Sequence, residues 1–117
     1  MNILVVEDEK IISSAINRVL SSSGHYVQIL NDGFGVINKI QELNPSVIFL
    51  DVKMPGRSGL DVLKEIKEHS KDIKVVMMSG YTTPENMELA KQLGADDFLK
   101  KPFEDIFEIQ RIVERNS

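Results

Sequence analysis

Short apolar runs alternate along the whole chain with segments whose apolar residues recur at helical spacing. The runs fall at 3–6 (Ile3 to Val6), 26–30 (Tyr26 to Leu30), 47–50 (Val47 to Leu50), 73–78 (Ile73 to Met78) and 97–99 (Asp97 to Leu99). Between the first two, Ile11, Ile12, Ala15, Ile16, Val19 and Leu20 follow helical spacing, and Gly24 supplies the stop. Phe34, Ile37, Ile40 and Leu43 mark a second helix ended before Pro45, and Leu60, Leu63 and Ile66 mark a third. Pro84 begins a fourth, with Met87, Ala90 and Leu93 before Gly94; the fifth follows Pro102 with Ile106, Ile109 and Val113. Five strands alternating with five helices predict an α/β fold, a mostly parallel doubly wound sheet with helices on both faces.

The chain of 117 residues is expected to form one domain over 1–117. Its 14 basic and 18 acidic residues give a net charge of −4, and without a basic block no direct nucleic-acid binding is expected. There is no cysteine, no long apolar span and no basic-then-apolar leader, so disulfides, a membrane span and a signal peptide are not expected, and a cytoplasmic protein is.

Charge enters the picture where the apolar runs stop. Glu7 and Asp8 end the first run and Asp51 ends the third. If those runs are neighbouring parallel strands, three acids meet at one sheet edge. Two like charges ~4 Å apart repel by about 4 kcal/mol at an effective dielectric near 20, so such a cluster calls for a cation. Oxygen ligands with open positions for water and a phosphate suit Mg²⁺ better than zinc. Each piece alone has a plainer reading: Glu7-Asp8 as helix-capping acids, Asp51 and Ser79-Gly80 as turn residues, Lys101 beside Lys100 as a solvated lysine. Their joint position at the carboxyl ends of the strands favours a site, because open α/β sheets bind ligands there.

Together Glu7-Asp8, Asp51, the Pro55-Gly56 turn, Ser79-Gly80 and Lys101-Pro102 resemble, in order and over essentially the whole chain, the receiver domain of two-component response regulators. The resemblance implies a flavodoxin-like five-stranded sheet in the order 2-1-3-4-5. It makes Asp51 the phosphoacceptor, Asp8 a direct Mg²⁺ ligand, Glu7 a ligand through water, and the Lys53 carbonyl a further ligand. Ser79 and Lys101 would each hold a phosphoryl oxygen, across a cis Lys101-Pro102 bond. The phosphoryl donor would be a phosphohistidine of a sensor kinase or phosphotransfer protein.

By the same resemblance, Phe98 matches the aromatic that moves with the hydroxyl residue, and the fourth helix, fifth strand and fifth helix form the surface that changes, meets a downstream target and pairs in a phosphorylated dimer. Phe107, off the main stripe of the last helix, is a candidate for that surface. Lys53 and Tyr81 flank the path of an in-line water, so slow self-dephosphorylation is expected. The chain would be a switch assisting its own phosphorylation rather than an enzyme. A phospho-independent module of this fold would not need the intact acids, hydroxyl and lysine; a haloacid-dehalogenase-type phosphohydrolase would want an acid where Lys53 stands; a nucleotide site would not place Glu7-Asp8-Glu9 after the first strand.

Overall fold

Side chains of successive strand residues point to opposite faces of a sheet, and in this chain both faces are apolar, so each strand feeds two cores. A computed structural model describes residues 1–80, 83–103 and 105–117. It contains β1 (Asn2–Val6), α1 (Lys10–Ser22), β2 (Tyr26–Leu30), α2 (Val36–Leu43), β3 (Val47–Asp51), α3 (Gly59–His69), β4 (Lys74–Ser79), α4 (Pro84–Gln92), β5 (Asp97–Lys100) and α5 (Phe107–Arg115). The strands form one parallel sheet in the order β2-β1-β3-β4-β5. This is the doubly wound order expected, with its reversal of winding between β1 and β3.

Leu4, Val6, Ile48, Leu50, Val75 and Met77 face the layer built by Val36 and Ile40 of α2, Val62, Leu63 and Ile66 of α3, and Ala90 of α4. Ile3, Val5, Val47, Phe49, Val76, Met78 and Leu99 face Ile16 and Leu20 of α1 and Ile109, Ile112 and Val113 of α5. Every residue of β3 is buried, as its central position requires.

Local chemistry sets the helix ends. Ser58 Oγ accepts from the Leu60 N–H at 3.2 Å at the start of α3, with Asp61 in the first turn and Lys67 and His69 in the last, each matching the helix dipole. Thr83 Oγ1 accepts from the Asn86 N–H at 3.1 Å ahead of Pro84 at the start of α4. Three positions differ from the sequence pattern. Phe34 precedes α2 because Gly35 adopts the left-handed region (φ 74°), and the residue is 58% exposed. Ile11 is 87% exposed, lying roughly 140° round the helix from the buried Ile16 at 3.6 residues per turn. Ile106 sits just before α5 and is half exposed, outside the core. The fourth strand also begins at Lys74 rather than Ile73, and ends on Ser79.

The start of α3 passes directly over the end of β3. The Gly59 N–H donates to the Val52 carbonyl at 2.8 Å, and a Cβ on Gly59 would overlap the carbonyl oxygen of Asp51. Gly59→Ala is therefore expected to cost about 3 kcal/mol or more, read as a lower urea midpoint. At the other edge Arg115 donates to Asp97 Oδ2 at 2.7 Å and Oδ1 at 3.1 Å, joining α5 to β5. That pairing, joined by Asn116 and the Phe98 N–H against the opposing effect of burial, holds the Asp97 carboxyl below its ordinary 3.8. A lowered carboxyl stabilises the fold above its unfolded value and ceases to do so as the pH falls through its folded value. Arg115→Ala should thus destabilise by less than about 1 kcal/mol at pH 7, since Arg115 is half exposed, and the deficit should shrink below pH 3.8 in pH-dependent melts.

Candidate functional site

Register brings the acids together. Val6 pairs with Leu50, so the residues that follow, Glu7 and Asp51, lie side by side at the carboxyl edge of the sheet. Both continue the alternation that faces α1 and α5, being one step beyond Val6 and Leu50, which face the other way. Carboxylate oxygens of Glu7, Asp8 and Asp51 all lie within 4.8 Å of one another. Lys101, two residues beyond the buried Leu99, follows the same alternation on β5. Its ammonium lies 2.5 Å from Glu7 Oε1 and 3.2 Å from Asp51 Oδ2. Glu7, Asp51 and Lys101 are all buried, Glu7 completely.

The carboxylates are held by backbone as well. Glu7 Oε2 accepts from the Glu9 N–H at 3.1 Å, and Asp51 Oδ1 accepts from the Lys53 N–H at 3.2 Å. Glu7 therefore does not cap α1: the N-cap residue is Glu9, whose own side chain makes no capping bond. The Lys101 ammonium sits at ion-pair distance from Glu7 Oε1 but off the direction of a hydrogen bond, so this buried oxygen lacks an aligned donor. Burial pushes the Glu7 carboxyl up to about 7; Lys101 and the Glu9 N–H pull it down, and Asp51 pushes it further up. Burial pulls the Lys101 ammonium down, yet Glu7 and Asp51 outweigh it and hold it above its ordinary value. The Lys101 ammonium thus sits among these acids. The chemistry of this donor set, hard carboxylate oxygens gathered at one point, fits a small divalent cation.

A cavity of about 630 Å³ opens over Asp51, with Lys53, Ser79, Gly80 and Lys101 on its polar side. Ile11, Ile12, Ala15, Phe103 and Ile106 form its apolar wall. Ile11 and Ile106 follow the helical spacing of their segments; their place on the wall depends on how α1 and the segment before α5 lie side by side, which spacing does not reveal. A second cavity of about 430 Å³ is lined by Met77, Met87, Phe98 and Lys100, and Ser79 and Gly80 border both cavities. Phe98 is partly buried against the core on the α2–α4 side, and Phe107 is exposed. The peptide bond between Lys101 and Pro102 is cis, as expected. Tyr81 lies outside the described residues.

The family model of the response regulator receiver domain matches residues 3–114. The chain belongs to this family. This receiver domain is 38% identical over 112 residues to response regulator RR06 of Streptococcus pneumoniae, covering 96% of this chain and 51% of that protein. It is 36% identical over 104 residues to the transcriptional regulatory protein DltR of Streptococcus agalactiae, covering 89% of this chain and 46% of that one. It spans about half the length of these curated relatives. Among solved structures, the chemotaxis protein CheY4 of Vibrio cholerae superposes with a TM-score of 0.92 at 28% identity, covering 99% of this chain and 98% of that one. The receiver domain of NtrX from Brucella abortus gives 0.90 at 34% identity, covering 97% and 96%. The receiver domain is therefore a signalling switch of two-component systems with the flavodoxin-like fold. Among the described residues no helix is long and apolar enough to cross a membrane.

Removing one partner of a buried ion pair leaves an uncompensated charge, typically at a cost of about 3–5 kcal/mol. Lys101→Met is expected to lower stability by about 3 kcal/mol in metal-free buffer at pH 7, measured by urea unfolding; an unchanged midpoint would mean that Lys101 does not compensate the acids.

Proposed function

We propose that Asp51 accepts a phosphoryl group from a phosphohistidine of a sensor kinase or phosphotransfer protein. An Asp51 carboxylate oxygen attacks phosphorus, the P–N bond to the imidazole breaks, and the electron pair stays on the departing ring nitrogen, which takes up a proton. The product is an acyl phosphate on Asp51. The observation that carries the reading is the Lys101 ammonium, buried 3.2 Å from Asp51 Oδ2 among three acids. Transfer between two anions is governed by positioning and charge neutralisation, which this arrangement supplies.

Asp8 and Asp51 would hold Mg²⁺ directly, Glu7 through water, and Lys53 through its backbone carbonyl. Bound there, the ion supplies positive charge that offsets the acids and the incoming phosphoryl oxygens. Ser79 would donate its hydroxyl to one phosphoryl oxygen and Lys101 its ammonium to another. Because Ser79 borders both cavities, its displacement toward the phosphoryl group alters the space beside Phe98. The switch is then a population shift of α4, β5 and α5, with Phe107 on the surface that meets a downstream target, an output domain or a second phosphorylated copy. We read the whole of 1–117 as one such domain, acting in the cytoplasm without contacting nucleic acid itself, and not as an enzyme. Lys53 and Tyr81 would slow hydrolysis by obstructing the in-line water.

Incubation with acetyl phosphate and Mg²⁺ should add the mass of one phosphoryl group, base-labile and located on Asp51 by peptide mass spectrometry. The adduct should be absent from Asp51→Asn and strongly reduced in Lys101→Ala; an equal adduct in Asp51→Asn would overturn the assignment. Lys53→Asn and Tyr81→Ala should each shorten the adduct's lifetime, and unchanged decay in both would remove their shielding role.

A further inference from the structure

The loop between β3 and α3 carries the groups that follow the phosphoacceptor, and its two ends are fixed: the Val52 N–H donates to the Met78 carbonyl at 3.0 Å and the Gly59 N–H to the Val52 carbonyl at 2.8 Å. Its outer half is gripped from elsewhere. Arg57 Nη1 donates to the Gly33 carbonyl at 3.0 Å and to Glu65 Oε1 at 3.1 Å, while Nη2 donates to Glu65 Oε2 at 3.0 Å. One guanidinium thus ties the loop both to the β2–α2 turn and to the second turn of α3. The turn itself approaches closely. A Cβ on Gly33 would stand 2.8 Å from Val62 Cγ2 and 3.3 Å from Arg57 Cβ, and a Cβ on Gly56 would stand 3.2 Å from the Phe34 ring. Gly33 lets the turn lie against Val62 and Arg57, and Gly56, in the left-handed region at φ 79°, lets the Phe34 ring lie on the loop.

Phe34 is otherwise hard to account for, since more than half of it is in solvent and it lies outside α2. Asp32 Oδ1 accepts from the Phe34 N–H at 2.9 Å and fixes the turn that carries it. The bidentate geometry of Arg57 is the planar fork that a carboxylate matches, and a lysine cannot reproduce it.

We infer that the β2–α2 turn clasps the phosphoacceptor loop through Arg57 and Phe34, making both of them positioning residues for the Lys53 backbone. The inference rests on the proposed Mg²⁺ site, because the Lys53 carbonyl is the ligand that this loop contributes. Neither residue is among the proposed ligands. Their role is to hold the loop between its fixed ends so that the carbonyl is presented without further ordering on binding, the same logic by which outer-shell partners support metal ligands.

The test is a calorimetric titration of the protein with Mg²⁺. Loss of a group bonded directly to a metal ligand costs about 10–100-fold in affinity, so one further removed should cost about 3–10-fold in Arg57→Ala. Arg57→Lys should not restore wild-type affinity. Phe34→Ala, at an exposed ring whose loss does not threaten folding, should weaken Mg²⁺ at least about twofold by the same route. Arg115→Ala, which breaks an ion pair between β5 and α5, should leave the affinity unchanged while lowering the melting temperature, separating positioning from general stability. Hydrogen exchange at the Lys53 amide in metal-free Arg57→Ala should quicken. Wild-type binding with unchanged affinity in both Arg57→Ala and Phe34→Ala would overturn the inference alone; no binding by the wild type would overturn the proposed Mg²⁺ site along with it.

Discussion

Everything at the carboxyl edge of this sheet depends on one imbalance of charge: among the described residues, three carboxylates converge around the buried ammonium of Lys101. The parallel register of β1 against β3 compels the convergence, because pairing Val6 with Leu50 leaves Glu7 and Asp51 nowhere to go but beside each other. Lys101, just beyond β5, relieves part of the repulsion, and the neighbouring acids hold its ammonium above its ordinary value despite its burial. In the reading proposed above, the rest comes from a bound cation, and Asp51 is the carboxylate that reacts once it is present. On that reading stability is given up at the site where binding would recover it, as strained or charged functional sites commonly do.

The same edge connects chemistry to surface. Ser79 lies at the end of β4 between two cavities, one over Asp51 and one beside Phe98. Beneath α4 the packing is sparse: Ala90 is the buried residue of that helix, whereas α3 buries Gly59, Val62, Leu63 and Ile66. A helix held by little buried surface can be repositioned at small cost, and elements that move in switches come from this end of the stability range. On the opposite flank the loop after Asp51 is fixed by Gly59 against β3 and by its own Arg57, which bonds the Gly33 carbonyl of the β2–α2 turn, while Phe34 of that turn lies on Gly56. The proposed phosphoacceptor thus lies between a well-fixed loop and the strand end that leads to the sparsely packed α4.

Much of this was legible in the sequence. The five apolar runs and the helical stripes of Ile16 and Leu20, or Leu63 and Ile66, give the alternating elements because period two and period 3.6 are properties of the backbone. The acids, Ser79 and Lys101 were legible because polar residues directly after buried strands are conspicuous, and their family order was specific. The strand order came from the resemblance, since local patterns carry no pairing information. Less visible were the features that arise between elements. Ile11 and Ile106 follow helical spacing yet line the cavity over Asp51, and Phe34 read as helix yet lies on Gly56. Arg57 had no signal at all: its partners are a backbone carbonyl 24 residues away and a carboxylate eight residues on, and only the folded chain sets them together.

The most direct measurement of the central imbalance is the melting temperature of the wild type and of Asp51→Asn, each in a chelator and in saturating Mg²⁺. Removing one of three crowded acids should make Asp51→Asn the more stable protein in the chelator, and Mg²⁺ should raise the wild type far more than the variant, narrowing or reversing the gap. A wild type at least as stable as Asp51→Asn in the chelator, with no rise in Mg²⁺, would contradict the account.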